Sequence, residues 1–261
     1  MPKPGDTRRM FDLKDKTALV TGGNGGIGLG MARGLAQAGA RVVIAARNAE
    51  KSAAAVEALR ALGSDSFALA ADVSDEASVQ RLVDEAAERC GRLDILVNNA
   101  GTTVRKPVDQ LALSEWHQVM DTNLTSAFLC CRAAYPHLKK AGGGKIINIG
   151  SMMSIFGAPY APAYGASKGA IVQLTRAMAA SWAPDNIQVN AVLPGWIRTE
   201  LTDGARAQVQ GLEDRVNART PAGRWGAPED LAGIAVFLAS PASDFVTGTA
   251  IPVDGGYSIA A

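Results

Sequence analysis

Tyr164 and Lys168 stand four residues apart in the run Tyr164-Gly165-Ala166-Ser167-Lys168, and Ser151 precedes Tyr164 by thirteen residues. Side chains four apart share one face of a helix, so a phenol and an ammonium can meet over one pocket. That pair suits proton exchange with an alcohol or a ketone. A tyrosine serves there only if its pKa of about 10 falls toward neutrality, which takes roughly 4 kcal/mol of preferential stabilisation of the phenolate. An ammonium about 4 Å away at an effective dielectric near 20 supplies about that much. A serine hydroxyl alongside would donate to the oxygen on which negative charge develops. Each piece alone has a plain structural reading, since Tyr and Lys four apart occur on many helices and a serine after a strand is usually a cap.

The second group with chemical meaning is Gly22-Gly23-Asn24-Gly25-Gly26-Ile27-Gly28. It follows the apolar run 17–21 and precedes a segment of helical period ending at Gly39. A glycine turn between a strand and a helix brings backbone amides and the positive helix end to a pyrophosphate. A dinucleotide is therefore expected against Gly22, Asn24, Gly26, Ile27 and Gly28. After the second strand the chain reads Ala45-Ala46-Arg47-Asn48, where an acidic residue would bind a free ribose 2′-hydroxyl. No carboxylate stands there to repel a 2′-phosphate, and Arg47 offers a planar, permanent charge to hold one. NADP(H) is favoured over NAD(H) on that ground, with a solvated charge leading the next helix as the rival reading of Arg47.

The elements that must position these groups follow an alternating pattern. Short β-branched runs at 17–21, 41–45, 66–71, 94–97, 145–149, 188–192 and 250–253 predict seven strands, separated by Ala- and Leu-rich segments of helical period at about 27–38, 49–62, 75–90, 114–140, 164–182 and 228–239. Strands alternating with helices predict an α/β fold built of βαβ units with a parallel sheet. Ser151 would then lie beyond the carboxyl end of a strand, where open α/β sheets bind ligands. No repeat or linker divides the chain, so one domain over 11–261 is expected, after a disordered tail over 1–10. The polar segment 199–226 has weak periodicity and reads as an inserted lid.

The 261 residues, 48% hydrophobic, suffice for a sizeable core. Lys and Arg number 26 against 25 Asp and Glu, so no global field recruits nucleic acid or an anionic membrane. The three cysteines, Cys90, Cys130 and Cys131, form neither a disulfide framework nor a thiolate metal spacing. His117 and His137 lack a neighbouring cluster at ligand spacing, so no metal site is expected. With no apolar run of signal or membrane-span length, a cytoplasmic protein with a small-molecule substrate is expected.

In their order and register these landmarks resemble the short-chain dehydrogenase/reductase family over about residues 13–256. The resemblance implies a doubly wound Rossmann sheet with helices on both faces and hydride transfer between a nicotinamide and a secondary alcohol or ketone. It implies Ser151, Tyr164 and Lys168 as the catalytic centre, Tyr164 and Lys168 also touching the cofactor, with an oxidised nicotinamide's positive charge helping Lys168 to acidify the phenol. Asn123 matches the family's fourth catalytic position and would hold a water that relays protons from Lys168. Asp72 and Val73 match its adenine contacts, Asn98-Asn99-Ala100-Gly101 its sheet-bracing turn beside the cofactor, and Pro194, Gly195, Ile197 and Thr199 its nicotinamide-amide binders. Gly25 departs from the pattern, lacking the basic side chain that some NADP-dependent members carry in this loop.

The far side of the crevice is expected to be formed by Thr103, Arg105, Met152, Met153, Ser154, Tyr160, Trp196 and the lid. Arg105, the run Ser-Met-Met-Ser and the run Pro-Ala-Gly-Arg-Trp-Gly resemble the family's sugar-acid branch, and an arginine can fix a carboxylate bidentately. A 3-oxoacyl-thioester reductase is the alternative, because the pocket methionines suit an acyl chain equally. A dinucleotide-binding regulator without catalysis is a third reading, opposed by the intact Asn123, Ser151, Tyr164 and Lys168 set. Apolar and small residues at 114–140 and 164–182 exceed what one buried face needs, and the family resemblance implies a homotetramer.

Overall fold

The β-branched runs form seven strands: β1 (Thr17–Thr21), β2 (Arg41–Ala46), β3 (Phe67–Ala70), β4 (Ile95–Asn98), β5 (Gly144–Ile149), β6 (Ile187–Pro194) and β7 (Ala250–Val253). The computed structural model describes residues 9–260. The strand order is β3-β2-β1-β4-β5-β6-β7, and every neighbouring pair is parallel. The order runs outward from β1 to β3, then returns to β4 on the other side of β1. That reversal opens a crevice at the carboxyl ends of β1 and β4, the place where a doubly wound sheet binds ligands.

Both faces of the sheet are covered, which is why its central strands are buried along their whole length. Leu19 of β1 packs in a core with Leu82 and Val83 of α3 (Glu76–Cys90), Leu138 of α5 (Ser126–Lys140) and Met178 of α6 (Pro162–Trp182). Ala18 and Val20, pointing the other way, pack with Met31 and Leu35 of α1 (Gly26–Gln37), Leu59 of α2 (Ala49–Arg60) and Leu238 of α9 (Ala232–Ala239). The expected seven-stranded doubly wound sheet is thus found.

Three elements differ from expectation. The helix expected over 114–140 is divided into α4 (Leu113–Met120) and α5 by a π-helical turn at Asp121–Thr125. The widened turn holds Asn123, whose side chain bonds outside its own helix; such turns recur at functional sites. The element expected at 228–239 opens with a tight 3-10 turn, Pro228–Leu231, before α9. Of the tail expected at 1–10, residues 1–8 lie outside the described residues, and Arg9–Phe11 form a 3-10 turn.

The segment 199–226 is helical. It contains α7 (Glu200–Gln208) and α8 (Leu212–Arg219), two helices too short for strong periodicity. Thr199 caps α7, its hydroxyl accepting from the Thr202 amide. The segment is closed at its base, where the Arg198 amide donates to the Gly226 carbonyl and the Gly226 amide to the Trp196 carbonyl, each at 2.9 Å.

Candidate active site

β5 delivers Ser151 to the carboxyl edge of the sheet, and α6 begins with Pro162 at its first turn, a position that needs no backbone donor. Tyr164 and Lys168 follow one helical turn apart, and together with Ser151 they line a cavity of about 460 Å³. The same cavity is walled by Gly22, Asn24, Gly26, Ile27, Asn99, Ala100, Gly101, Pro194, Gly195, Ile197 and Thr199. It continues into a second cavity of about 560 Å³ that contains Arg47, Asp72 and Val73. On its other side a pocket of about 100 Å³ shares Ser151 and Tyr164 and adds Arg105, Met153, Tyr160 and Trp196. The first two cavities form one groove from β2 to α6, lined by the glycine loop and by Arg47, Lys51 and Lys168 together with Asp72, Asp121 and Glu200, and a dinucleotide's extended shape suits it.

The glycine loop is shaped by close approach. A Cβ on Gly28 would lie 2.4 Å from both the Gly22 carbonyl oxygen and Asn99 Nδ2, so no larger residue fits there. Gly28 thus packs α1 onto the loop and does not line the groove. Gly26 takes a left-handed conformation, φ 50°, with its Cβ direction 3.2 Å from the Thr199 methyl, which sets the start of α7 directly over the loop.

A hydrogen-bonded frame holds the loop. Asn99 Nδ2 donates to the Thr21 and Gly22 carbonyls, both at 3.0 Å, and the amides of Asn99 and Ala100 donate to the Thr21 hydroxyl at 3.0 and 3.1 Å. Asn98 donates to Asn148 at 2.8 Å and Asn148 to the Thr175 hydroxyl at 2.9 Å, linking β4, β5 and α6. Thr21 opens the Thr21-Gly22, Gly26, Gly28 spacing of the loop. Asn148 and Thr175 were not foreseen, since they carry no motif of their own and become important only once distant segments meet.

The electrostatics of the centre depart from the expected acidic phenol. Lys168 is buried and its ammonium donates to the Ile149 carbonyl at 2.7 Å; burial lowers its pKa to about 8. Its nitrogen lies 5.6 Å from the centre of the Tyr164 ring. Tyr164 shows part of its ring to the cavity, but its phenol sits in dense surroundings that push its pKa up, with the Ser151 hydroxyl and the Arg105 charge pulling the other way. Desolvation disfavours the charged form of both residues, so the protein alone holds a neutral phenol. Lys168 by itself does not make Tyr164 acidic.

Asn123 has a structural task in the fold. Its Oδ1 accepts from the Thr102 amide at 2.7 Å, and its Nδ2 donates to the Thr102 carbonyl and the Ser167 hydroxyl, both at 3.0 Å. With both amide hydrogens engaged, the side chain braces the turn after β4 against α6. Ser154 is likewise turned away from the substrate pocket: its hydroxyl donates to the Lys168 carbonyl at 2.6 Å and accepts from the Ser151 amide at 3.2 Å.

At the outer end of the groove Arg47 is 80% exposed and 4.0 Å from Asp72. The Asp72 carboxyl is held below its ordinary range chiefly by the hydroxyl and amide of Ser74, at 2.6 and 3.0 Å. Arg105 reaches across the pocket mouth and donates to the Leu201 carbonyl at 2.9 Å. Lys51, Glu200, Leu201 and Thr202 also wall the groove. Glu200, Leu201 and Thr202 belong to the segment 199–226 expected to close the crevice, and Lys51 is a basic residue four positions beyond Arg47.

Known proteins share this arrangement. A family model described as enoyl-(acyl carrier protein) reductase matches residues 22–258. The 2-dehydro-3-deoxy-D-gluconate 5-dehydrogenase of Dickeya dadantii is 44% identical over 248 residues, covering 95% of this chain and 97% of the relative. A 3-oxoacyl-[acyl-carrier-protein] reductase of rhamnolipid biosynthesis from Pseudomonas aeruginosa is 42% identical over 254 residues, covering 95% and 98%. Among solved structures, a gluconate 5-dehydrogenase from Burkholderia cenocepacia in complex with NADP and tartrate superposes with a TM-score of 0.92 at 44% identity, covering 97% of this chain and 99% of that one. A serine, a tyrosine and a lysine gathered where a doubly wound sheet reverses, beside a glycine loop, in a chain matched almost end to end by such enzymes, place this protein in the short-chain dehydrogenase/reductase family of oxidoreductases.

Proposed function

We propose that this protein interconverts a secondary alcohol and its ketone on a sugar acid, using NADP(H) in preference to NAD(H). The observation that carries the reading is the position of Ser151 and Tyr164, which form the common wall of the dinucleotide groove and of a small pocket with Arg105 in its lining. When bound, the nicotinamide supplies or accepts the hydride. Ser151 holds the substrate oxygen by donating to it where charge develops. Tyr164 gives that oxygen a proton in reduction and takes one in oxidation. Lys168 keeps positive charge below the phenol, and Asn123 fixes the turn that shapes the groove.

Gly22, Asn24, Gly26, Ile27, Asn99, Ala100, Gly101, Pro194, Gly195, Ile197 and Thr199 would hold the dinucleotide, with Asp72 and Val73 at the adenine and Arg47 at the ribose. The exposed Arg47 guanidinium supports the preference for a 2′-phosphate. Arg105 would take the substrate carboxylate, with Met153, Tyr160 and Trp196 around the carbon chain. The gluconate and deoxygluconate dehydrogenases among the relatives support a sugar acid. Met152 and Met153 in the pocket favour an acyl chain as a second reading, in line with the 3-oxoacyl reductase relative.

Reduction of keto-gluconates and of acetoacetyl thioesters, each with NADPH and NADH, tests the assignment by absorbance at the reduced nicotinamide band. Turnover of keto-gluconates with NADPH is expected. Activity confined to thioesters would transfer the assignment to the acyl reading, and dinucleotide binding with no turnover of either substrate class would favour the regulator.

The segment 199–226 acts as a lid, since its first residues wall the groove. Exposed Leu113 and Phe128 on α4 and α5 support a homotetramer, which solution scattering would measure. Among the described residues no helix is long and apolar enough to cross a membrane. The free cysteines are compatible with a reducing cytoplasm.

A further inference from the structure

The junction of the two dinucleotide cavities carries a cation that the assignment above leaves unused. Lys51, in the first turn of α2, lines both cavities, and its ammonium lies 2.7 Å from each carboxylate oxygen of Glu200, the first residue of α7. The pair crosses the mouth of the groove, because α2 belongs to the sheet layer and α7 to the segment 199–226. Arg47 also lines both cavities and rests 4.0 Å from Asp72. Each of the two cations beyond β2 is therefore held by a single carboxylate.

These pairs are weak. The Lys51 and Glu200 side chains are 51% and 83% exposed, and exposed ion pairs contribute at most about 1 kcal/mol. A phosphate monoester carries roughly −1.5 to −2 charge and three strong acceptor oxygens. Set between Arg47 and Lys51, it displaces a singly charged carboxylate from either one.

We propose that Lys51 exchanges Glu200 for the 2′-phosphate of the cofactor, so that the same phosphate that is recognised also releases α7 from α2. The inference rests on the preference for NADP(H) proposed above. A dinucleotide without the phosphate leaves the Lys51–Glu200 pair closed across the groove. The lid thereby reads which dinucleotide is bound through a residue that touches neither the substrate nor the reacting atoms.

Calorimetric titration with 2′,5′-ADP and with 5′-ADP tests the exchange, since the two probes differ only at the 2′-phosphate's side of the ribose. Lys51→Met is expected to weaken 2′,5′-ADP about tenfold, equivalent to about 1.4 kcal/mol, while 5′-ADP changes far less. Glu200→Gln is expected to tighten 2′,5′-ADP by freeing Lys51. Equal weakening of both probes by Lys51→Met, or a Glu200→Gln protein that binds 2′,5′-ADP no better than native, overturns the exchange. If the native protein binds both probes equally, the NADP(H) preference fails. The exchange is then decided by Glu200→Gln alone, which must create a preference for 2′,5′-ADP. Hydrogen exchange in α7 reads the coupling: it should be faster with 2′,5′-ADP than with 5′-ADP in the native protein and equal in Glu200→Gln. Equal rates in the native protein reject it.

Discussion

The ammonium of Lys168 donates to the Ile149 carbonyl across 2.7 Å, and among the described residues it has no carboxylate partner. Ile149 ends β5, so the lysine is anchored to the sheet edge and not to the phenol one turn before it. Its charge is desolvated with a carbonyl and no anion to compensate, and the proton becomes easier to lose.

Relative to Lys168→Met, stability should therefore rise between about pH 8 and pH 10; Cys130 and Cys131, whose thiols burial pushes up, oppose the rise equally in both proteins. In that window the folded Lys168, with a pKa of about 8, has released a proton that the unfolded chain still holds, so raising the pH favours the folded state. Below pH 8 the cost of burying the charge is fully present, and its relief is worth up to about 3 kcal/mol. Above pH 10 the raised pKa of Tyr164 acts in the opposite sense, because the unfolded tyrosine ionises first. Denaturant midpoints of native protein and Lys168→Met across pH 7 to 10 check this. A parallel pH dependence in the two would refute it.

Without cofactor, Tyr164 should ionise above its ordinary pKa. The difference in phenolate absorbance between native protein and Tyr164→Phe isolates this one residue. Saturation with oxidised cofactor should move the onset to lower pH, since a positive charge enters the cavity that Tyr164 lines. An onset that stays put on binding would show that the phenol is not electrostatically coupled to the nicotinamide.

Tyr164→Phe should lower kcat by about 10²- to 10⁴-fold, the usual contribution of a positioned proton donor. NADPH affinity, followed by quenching of protein fluorescence, should change little by comparison, because the groove keeps its backbone donors. A loss of affinity as large as the loss of kcat would mean that the ring serves mainly as a cofactor wall.

Gly28→Ala should destabilise the fold and weaken dinucleotide binding together. Its new methyl would meet the Gly22 carbonyl and the Asn99 amide nitrogen at 2.4 Å, breaking the frame that shapes the loop. Overpacking of this kind costs about 1 to 3 kcal/mol. Gly25→Ala meets nothing within 4 Å and serves as the control for stability. Equal thermal stability of the two variants would count against the close packing of Gly28.

The strands, their parallel sense and the convergence of Ser151, Tyr164 and Lys168 could be read in advance because each is carried by local period or short spacing. β1 shows five buried residues in a row, and α6 sets its tyrosine and lysine one turn apart. What escaped is non-local. The π turn at Asn123 exists because its carboxamide reaches Thr102 and Ser167, contacts that no window along the chain contains. Ser154, expected at the substrate as part of the run Ser-Met-Met-Ser, has its hydroxyl on a backbone carbonyl of α6. A lowered phenol pKa needs both an ammonium about 4 Å away and the positive charge of an oxidised nicotinamide; in the protein alone, burial pushes the phenol up and Lys168 is drawn to the Ile149 carbonyl.

The bridge between Ile197 and Gly226 makes the helical excursion that begins at Thr199 a cassette whose two ends are joined at its base. Its two ends meet whatever lies between them, so the sheet does not register its length. Doubling a flexible loop whose ends are already joined costs only about 0.6 kcal/mol in closure entropy. Recognition can thus be exchanged or enlarged by grafting between those two residues, while the machinery for moving a proton stays untouched in the layer beneath.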